Sequence, residues 1–302
     1  MNGKVLLRRW RWPLVVAVLV LFALRVADGM VHDWGRLANG LDNLRTFWRE
    51  SVWPPDWSVL EPQAYPVCPH DGWAEVRCST AYIGMVETLK IAFVATVFGT
   101  LLSLPISLGA ARNLNPTPVT VVTRSVLAAC RSLPSIVWAI FFVILIGLGP
   151  LAGILAMTVY TVGYLGKLQY EAIEGLDRGP LDASRAMGHS WLERNLGVVL
   201  PEAANGLISQ TIFMFEYNVR HGTVIGIVGA GGLGYYINLY LRFLQYDKVV
   251  AYLVIIFVAV LLLDQVSILA RSVFTDERDV KRPSWWSVFL PAAAVQRGEG
   301  EE

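Results

Sequence analysis

Apolar residues along the chain gather into runs of about 20, the length at which an α-helix crosses a hydrocarbon core about 30 Å thick. Six runs are legible: residues 12–31, 82–110, 133–148, 151–166, 205–228 and 248–270. The pattern predicts an all-α, polytopic transmembrane bundle of about six spans. The second run carries Pro105 as an expected kink. It also repeats Gly99, Ser103 and Ser107 at every fourth position, a small-residue face on which another helix can pack closely. A Gly147-Leu148-Gly149-Pro150 break separates the third run from the fourth. Three segments are expected: an N-terminal anchor and outer excursion over 1–80, a transmembrane core over 81–274, and a tail over 275–302.

Composition sharpens this picture. Of the 302 residues 55% are hydrophobic and 16% charged, against about 25% charged in soluble domains, which excludes a soluble enzyme or a disordered chain as the default. A net charge of +1 gives no reason to expect a nucleic-acid partner. Most Lys and Arg residues fall in segments 1–11, 111–132, 167–204 and 271–302, so the positive-inside rule puts both termini in the cytoplasm. Lys4, Arg8, Arg9 and Arg11 precede the first run as in a secretory signal, but no small-residue cleavage site follows, so an uncleaved anchor is expected. In the outer excursion, Leu37, Leu41, Leu44 and Trp48 recur at helical spacing, as in an amphipathic helix lying on the membrane surface. The tail segment 285–295 is apolar but too short to span, and fits the same surface role. Cys68 and Cys78 share the excursion; pairing and two free thiols are both open. Cys130 reads as a small packing residue.

The chemistry of an enzyme is absent. There is no phosphate-binding loop of the G-x-x-x-x-G-K-[ST] kind, no metal-spaced cluster of Cys and His, and no nucleophile elbow. No catalytic residue, metal ligand or cofactor of this chain is expected. Gly229-Ala230-Gly231-Gly232-Leu233-Gly234 does match G-x-G-x-x-G, with Asp247 downstream. The following residues hold a long apolar run and no strand–helix alternation, so these glycines read instead as a turn with close backbone approach.

The informative segment is Asp182-Ala183-Ser184, three residues, Gly188, nine residues, then Val198-Val199-Leu200-Pro201. It predicts a helix entering a turn at Gly188 and a second helix ending near Pro201, with small residues on the first helix free to dock in a groove. It resembles the coupling loop of ABC-importer permeases, E-A-A, three residues, G, nine residues, I-x-L-P, with Asp182, Ser184 and Val198 as mild replacements. The segment Arg131-Ser132-Leu133-Pro134-Ser135, the run Phe215-Glu216-Tyr217-Asn218-Val219-Arg220, the 229–234 glycines and Leu263-Asp264-Gln265 are similar to the phosphonate branch of that family. The resemblance implies a type I importer permease fold, a permease homodimer, and a periplasmic phosphonate-binding protein. It also implies two copies of a cytoplasmic ATP-binding subunit, docked on the loop and carrying ATP and Mg.

Ionisable groups inside spans are candidates for function. Arg131, Glu216, Asn218 and Arg220 are the candidate translocation path, Arg131 and Arg220 making it electropositive for an anion. The competing reading is that they only tie helices together through Glu216 and Asp264. Rival functions are the same machine carrying phosphite or methionine, a gradient-driven transporter using Glu216 and Asp264, and, more remotely, a nicotinamide enzyme using the 229–234 glycines.

Overall fold

The computed structural model describes residues 3–31, 34–65 and 67–274. The expected tail over 275–302, including the surface segment 285–295, lies outside them. Eleven α-helices follow one another among the described residues: α1 (Gly3–Met30), α2 (Gly35–Phe47), α3 (Thr80–Ala110), α4 (Thr117–Ser132), α5 (Ser135–Ile146), α6 (Pro150–Glu174), α7 (Arg178–Ala186), α8 (Trp191–Arg194), α9 (Leu200–Gly226), α10 (Leu233–Arg242) and α11 (Tyr246–Phe274). Five helical stretches are long and apolar enough to cross a membrane, or six if the bent α4–α5 pair counts as one span.

The chain divides into two compact units, Met1–Pro55 and the remainder from Asp56 on. The contacts of residues 56–79 group them with the second unit. In the first unit, Trp12–Met30 of α1 is apolar enough to span. Helix α2 leaves Leu41 and Leu44 exposed, continuing into a π turn over Trp48–Val52. Residues 56–79 belong to the second unit because Val59 enters its core with Ala81, Leu233, Ile237, Val249 and Tyr252. In the same region Thr80 Oγ1 and Tyr252 Oη lie 2.5 Å apart. Two 3-10 turns, Trp57–Leu60 and Gly72–Cys78, shape this stretch, and a disulfide joins Cys68 to Cys78 with Cα atoms 5.8 Å apart. Asp56 caps the first turn. The Ser58 backbone N–H it accepts holds its carboxyl below the usual range.

Helices α3 and α6 form the most extensive pair. Ser79 caps α3 by accepting from Tyr82 N–H at 3.2 Å, and α3 runs on through Pro105 without ending. Its small-residue face is buried as the spacing implied: Gly99 leaves no room for a Cβ against Thr161 of α6, and Ser103 Oγ donates to Gln169 Oε1 at 2.9 Å.

Two runs depart from expectation. The third, 133–148, holds one helix, α5, but that helix is set at an 83° bend from α4. Pro134 has no N–H to continue α4 and forces Leu133 into the extended region, φ −103°, ψ 140°. The remaining 12 residues of α5 reach only about 18 Å, short of a bilayer. The fourth run extends two turns beyond Gly166 because Gln169, Tyr170 and Ile173 keep an inward face. The loop expected over 167–204 thus starts at Gly175.

Candidate functional site

The hairpin between α6 and α9 is built on Gly188. Asp177 caps α7 by accepting from Gly179 N–H at 3.3 Å. At the other end, His189 N–H donates to Ser184 O (3.2 Å) and Gly188 N–H to Arg185 O (3.0 Å). Gly188 itself sits at φ +76°. This is a Schellman closure, which needs a residue in the left-handed region. The chain then re-enters helix through a capping box: Ser190 Oγ accepts from Glu193 N–H at 3.3 Å and Glu193 Oε2 from Ser190 N–H at 2.8 Å. The Ser190 N–H holds the Glu193 carboxyl below its ordinary value. That support is present at neutral pH and fades only as pH falls through the depressed value.

One expectation for this segment is corrected. The second helix does not end near Pro201. Helix α8 passes through a π turn, Asn195–Val199, straight into α9, where Pro201 stands in the first turn. Proline is tolerated there, and the wider π turn relieves the clash with the carbonyl four residues earlier. Ser184 is fully buried inside the hairpin, with Oγ 3.1 Å from His189 Nδ1. In the Val198–Pro201 stretch the fully buried residue is Val199; Val198 and Leu200 are half-buried and Pro201 is exposed. Asp182 and Ala183 are exposed, Asp182 pairing with Arg185 at 2.9 Å.

The hairpin is tied to the helices behind it. Leu181 and Val199 share a core with Leu108 and Ala111 at the end of α3, Ile173 of α6 and Ala203 of α9. Arg185 Nη2 donates to Asn113 O (2.5 Å), Trp191 Nε1 to Asn115 Oδ1 (3.0 Å), and Asn113 Nδ2 to Ile173 O (2.8 Å). Glu174 accepts from Arg112 N–H (2.6 Å) and pairs with Arg124 (2.5 Å), whose guanidinium also lies over the Tyr170 ring. The sequence reading missed Asn113, Asn115, Glu174 and Trp191; the only signal for them was their position beside spans. The hairpin also leaves large apolar side chains uncovered: Met187, Trp191, Leu192 and Leu196 are all exposed.

Of the candidate path residues, Glu216 and Arg220 pair with each other, whereas Asn218 and Arg131 stand apart from that pair. Asn218 is buried at 1% exposure; its Nδ2 donates to Thr96 Oγ1 (2.9 Å) and Thr161 Oγ1 (3.0 Å), joining α9 to α3 and α6. Arg220 pairs with Glu216 one turn away and with Asp264 of α11 at 2.7 Å. Arg271 reaches Glu216 at 3.2 Å. Two acids and two bases thus cancel, and the cluster clamps α9 to α11. Arg131 stands apart, exposed at the end of α4. The 229–234 glycines form a turn, with Gly229, Gly231 and Gly232 at φ +90°, +83° and +73°, and no strand precedes them among the described residues. Nor do the described residues contain a cluster of His, Cys, Asp or Glu able to hold a metal.

A multi-helix bundle with a tethered, apolar-tipped hairpin and internally cancelled charges describes a membrane transport subunit. A family model for the binding-protein-dependent transport system inner membrane component matches residues 103–273. The chain belongs to that family, the multi-pass inner-membrane permeases of ABC importers. It is 36% identical over 192 residues to the phosphate-import permease protein PhnE of Mycolicibacterium smegmatis, covering 63% of this chain and 36% of that relative. The chain therefore spans about a third of the length of that protein. The phosphite transport system permease protein PtxC of Stutzerimonas stutzeri is 35% identical over 243 residues, 80% of this chain and 82% of the relative. A putative cryptic phosphonate transport system permease protein, PhnE2 of Escherichia coli, is 43% identical over 113 residues, 37% of this chain and 93% of the relative. The inward-facing MetNI methionine ABC transporter superposes with TM-score 0.57 at 26% identity, covering 64% of this chain and 94% of that chain.

Proposed function

We propose that this chain is the permease subunit of an ATP-driven importer of phosphorus oxyanions, with phosphonates as its cargo. Two copies assemble as a homodimer with both termini in the cytoplasm. A periplasmic phosphonate-binding protein delivers substrate, and two cytoplasmic ATP-binding subunits, holding ATP and Mg, dock on the hairpins. The observation that carries the reading is the hairpin: an exposed apolar tip of Met187, Trp191, Leu192 and Leu196 on a base knitted to α3, α6 and α9. Exposed apolar patches rimmed by polar residues mark protein contacts. Here Asp182, Arg185 and Glu193 supply the rim.

The mechanism follows from the ties. ATP binding draws the two ATPase copies together, and with them the hairpins. Each hairpin pulls on the α3–α4 connection through Arg185 and Trp191, and on the ends of α3 and α6 through Leu181 and Val199. Displacement at the tip thus becomes rotation of packed helices, shifting the population from inward- to outward-facing. The clamp of Arg220 and Arg271 with Glu216 and Asp264 keeps α9 and α11 moving as one body.

Cargo is tested by uptake of radiolabelled methylphosphonate in cells with and without the gene, with unlabelled phosphite, phosphate and methionine as competitors. Gene-dependent uptake that resists phosphate and methionine is expected. A second reading, phosphite as the main cargo, draws on the PtxC similarity and would appear as phosphite outcompeting unlabelled methylphosphonate. Uptake unchanged by deletion, in a strain without another importer, would remove the phosphonate assignment.

A further inference from the structure

Halfway along α6, Tyr160 and Tyr164 stack on Tyr217 and His221 of α9. Ring centroids are 5.9 Å apart for Tyr160–Tyr217, 5.5 Å for Tyr164–Tyr217 and 4.1 Å for Tyr217–His221, with the first two pairs within 10° of parallel. All four rings are half-buried, so the column has an open side. Its polar edges are paired without being used up. Tyr160 Oη and Tyr217 Oη are 2.9 Å apart; one donates to the other, and the acceptor's own proton is left over. Ser135 Oγ and His221 Nδ1 are 3.2 Å apart; whichever donates, the pair retains one further N–H or O–H.

The end of α4, which carries Arg131, is laid on α6 at this level by the α4–α5 bend. A Cβ on Gly163, three residues after Tyr160 and one before Tyr164, would lie 2.7 Å from the Arg131 backbone nitrogen. The end of α4 therefore rests directly on α6 beside the column. The Arg131 residue is exposed, and among the described residues no carboxylate pairs with it. Arg124 and Arg220, by contrast, are neutralised by Glu174 and by Glu216 with Asp264. Helix α5 starts at Ser135 with no side-chain cap on its first N–H groups. The assembly thus offers one uncancelled guanidinium and two spare donors, with no carboxylate among its members. Such a set suits a small tetrahedral oxyanion and disfavours a cation.

We infer that Arg131, the Ser135–His221 pair and the Tyr160–Tyr217 pair form the oxyanion-contact site of the translocation path, with the ring column as its wall. This rests on the oxyanion-importer reading above. It moves the electropositive role from Arg220 to Arg131, and adds Ser135, Tyr160, Tyr217 and His221 to the residues that meet cargo.

The test is initial uptake of radiolabelled methylphosphonate and phosphite by proteoliposomes holding the whole complex, permease, ATPase and binding protein, each variant being assayed after recovery as an assembled complex. Arg131→Gln is expected to slow uptake by about tenfold or more, the loss typical of a charge-assisted contact. Arg131→Lys, which keeps the charge, should return to within about threefold of the unmodified rate. Tyr160→Phe with Tyr217→Phe keeps both rings and removes both hydroxyls; it should slow uptake about fivefold. A merely structural arginine would not be rescued by lysine, and a merely structural ring column would not register the lost hydroxyls. Unmodified rates in both Arg131→Gln and the double phenylalanine variant would overturn the site while leaving the importer reading intact. Should Arg131→Gln fail to assemble, the lysine and double phenylalanine variants decide alone: a lysine rate below a tenth, or a full double-phenylalanine rate, overturns it. Absence of any uptake by the unmodified complex would overturn the importer reading itself, and the site with it.

Discussion

Gly188→Val is expected to lose most of the ATPase that co-purifies with the permease, while the chain still inserts and is recovered. Gly188 sits at φ +76° in the Schellman closure of α7, and no atom lies within 4 Å of where a Cβ would be. The cost is therefore one of backbone conformation rather than crowding. A left-handed L-residue is disfavoured by about 1–2 kcal/mol, and a β-branched one by more. With each 1.4 kcal/mol worth tenfold, the native hairpin becomes a minority form whenever α7 and α8 can separate more cheaply. The core of Leu181, Val199 and Ile173 lies at the base of the hairpin, so damage concentrates at the tip that carries Met187 and Trp191. Gly188→Asn, which tolerates the left-handed region, should retain most of the ATPase. The readout is the ratio of ATPase to permease on a tagged permease. Equal ratios for Val and the unmodified chain would remove this hairpin as the docking element.

The second large effect is at the crossing of α9 and α10. A Cβ on Gly226 would fall 2.5 Å from Gly231 O and 2.8 Å from Gly234 Cα, and one on Gly234 would overlap the Thr223 carbonyl. Both sides of this contact are backbone, which cannot rotate away. Gly234→Val must therefore push α10 off α9 and pull Leu233 and Ile237 from the core they share with Val249 and Tyr252. Such a change belongs with the exceptional substitutions that cost more than about 4 kcal/mol. The expected result is loss of the monodisperse peak when a fluorescent fusion of the chain is solubilised and sized. Gly206→Ala is the control. It lies on the exposed side of α9 with nothing within 4 Å, and should gain up to about 1 kcal/mol from helix propensity alone. A stable, monodisperse Gly234→Val would contradict the close crossing.

These two glycines also mark what the amino-acid sequence could and could not disclose. Gly188 was legible because the fixed spacing from Asp182 to Pro201 places a turn there and glycine alone enters it without strain. The small face Gly99, Ser103, Ser107 was legible because a four-residue period of small groups has few uses besides helix contact. The helix over 133–148 was legible as an apolar run, but hydropathy does not register direction, so its 83° bend from α4 at Pro134 was visible only as a proline. Ser184 matched a small-residue motif, but only the fold turns it inward onto His189. The charge clamp was half legible. Glu216 and Arg220 are one turn apart, whereas the reach of Arg271 to Glu216 is a tertiary fact. The tyrosine column was not legible at all, because Tyr160 and Tyr217 are 57 residues apart and each alone is an ordinary core aromatic.

The central claim is that this permease moves cargo by coupling to a separate ATPase through the hairpin. The direct measurement is accumulation of radiolabelled methylphosphonate in proteoliposomes holding the permease, its ATPase and the binding protein, with ATP on the ATPase side and no ion gradient. The account predicts accumulation with ATP and none when the ATPase carries a substitution that abolishes hydrolysis. Accumulation that persists with the inactive ATPase and instead follows an imposed proton or sodium gradient would contradict it, and would return Glu216 and Asp264 to the role of ion-coupling carboxylates.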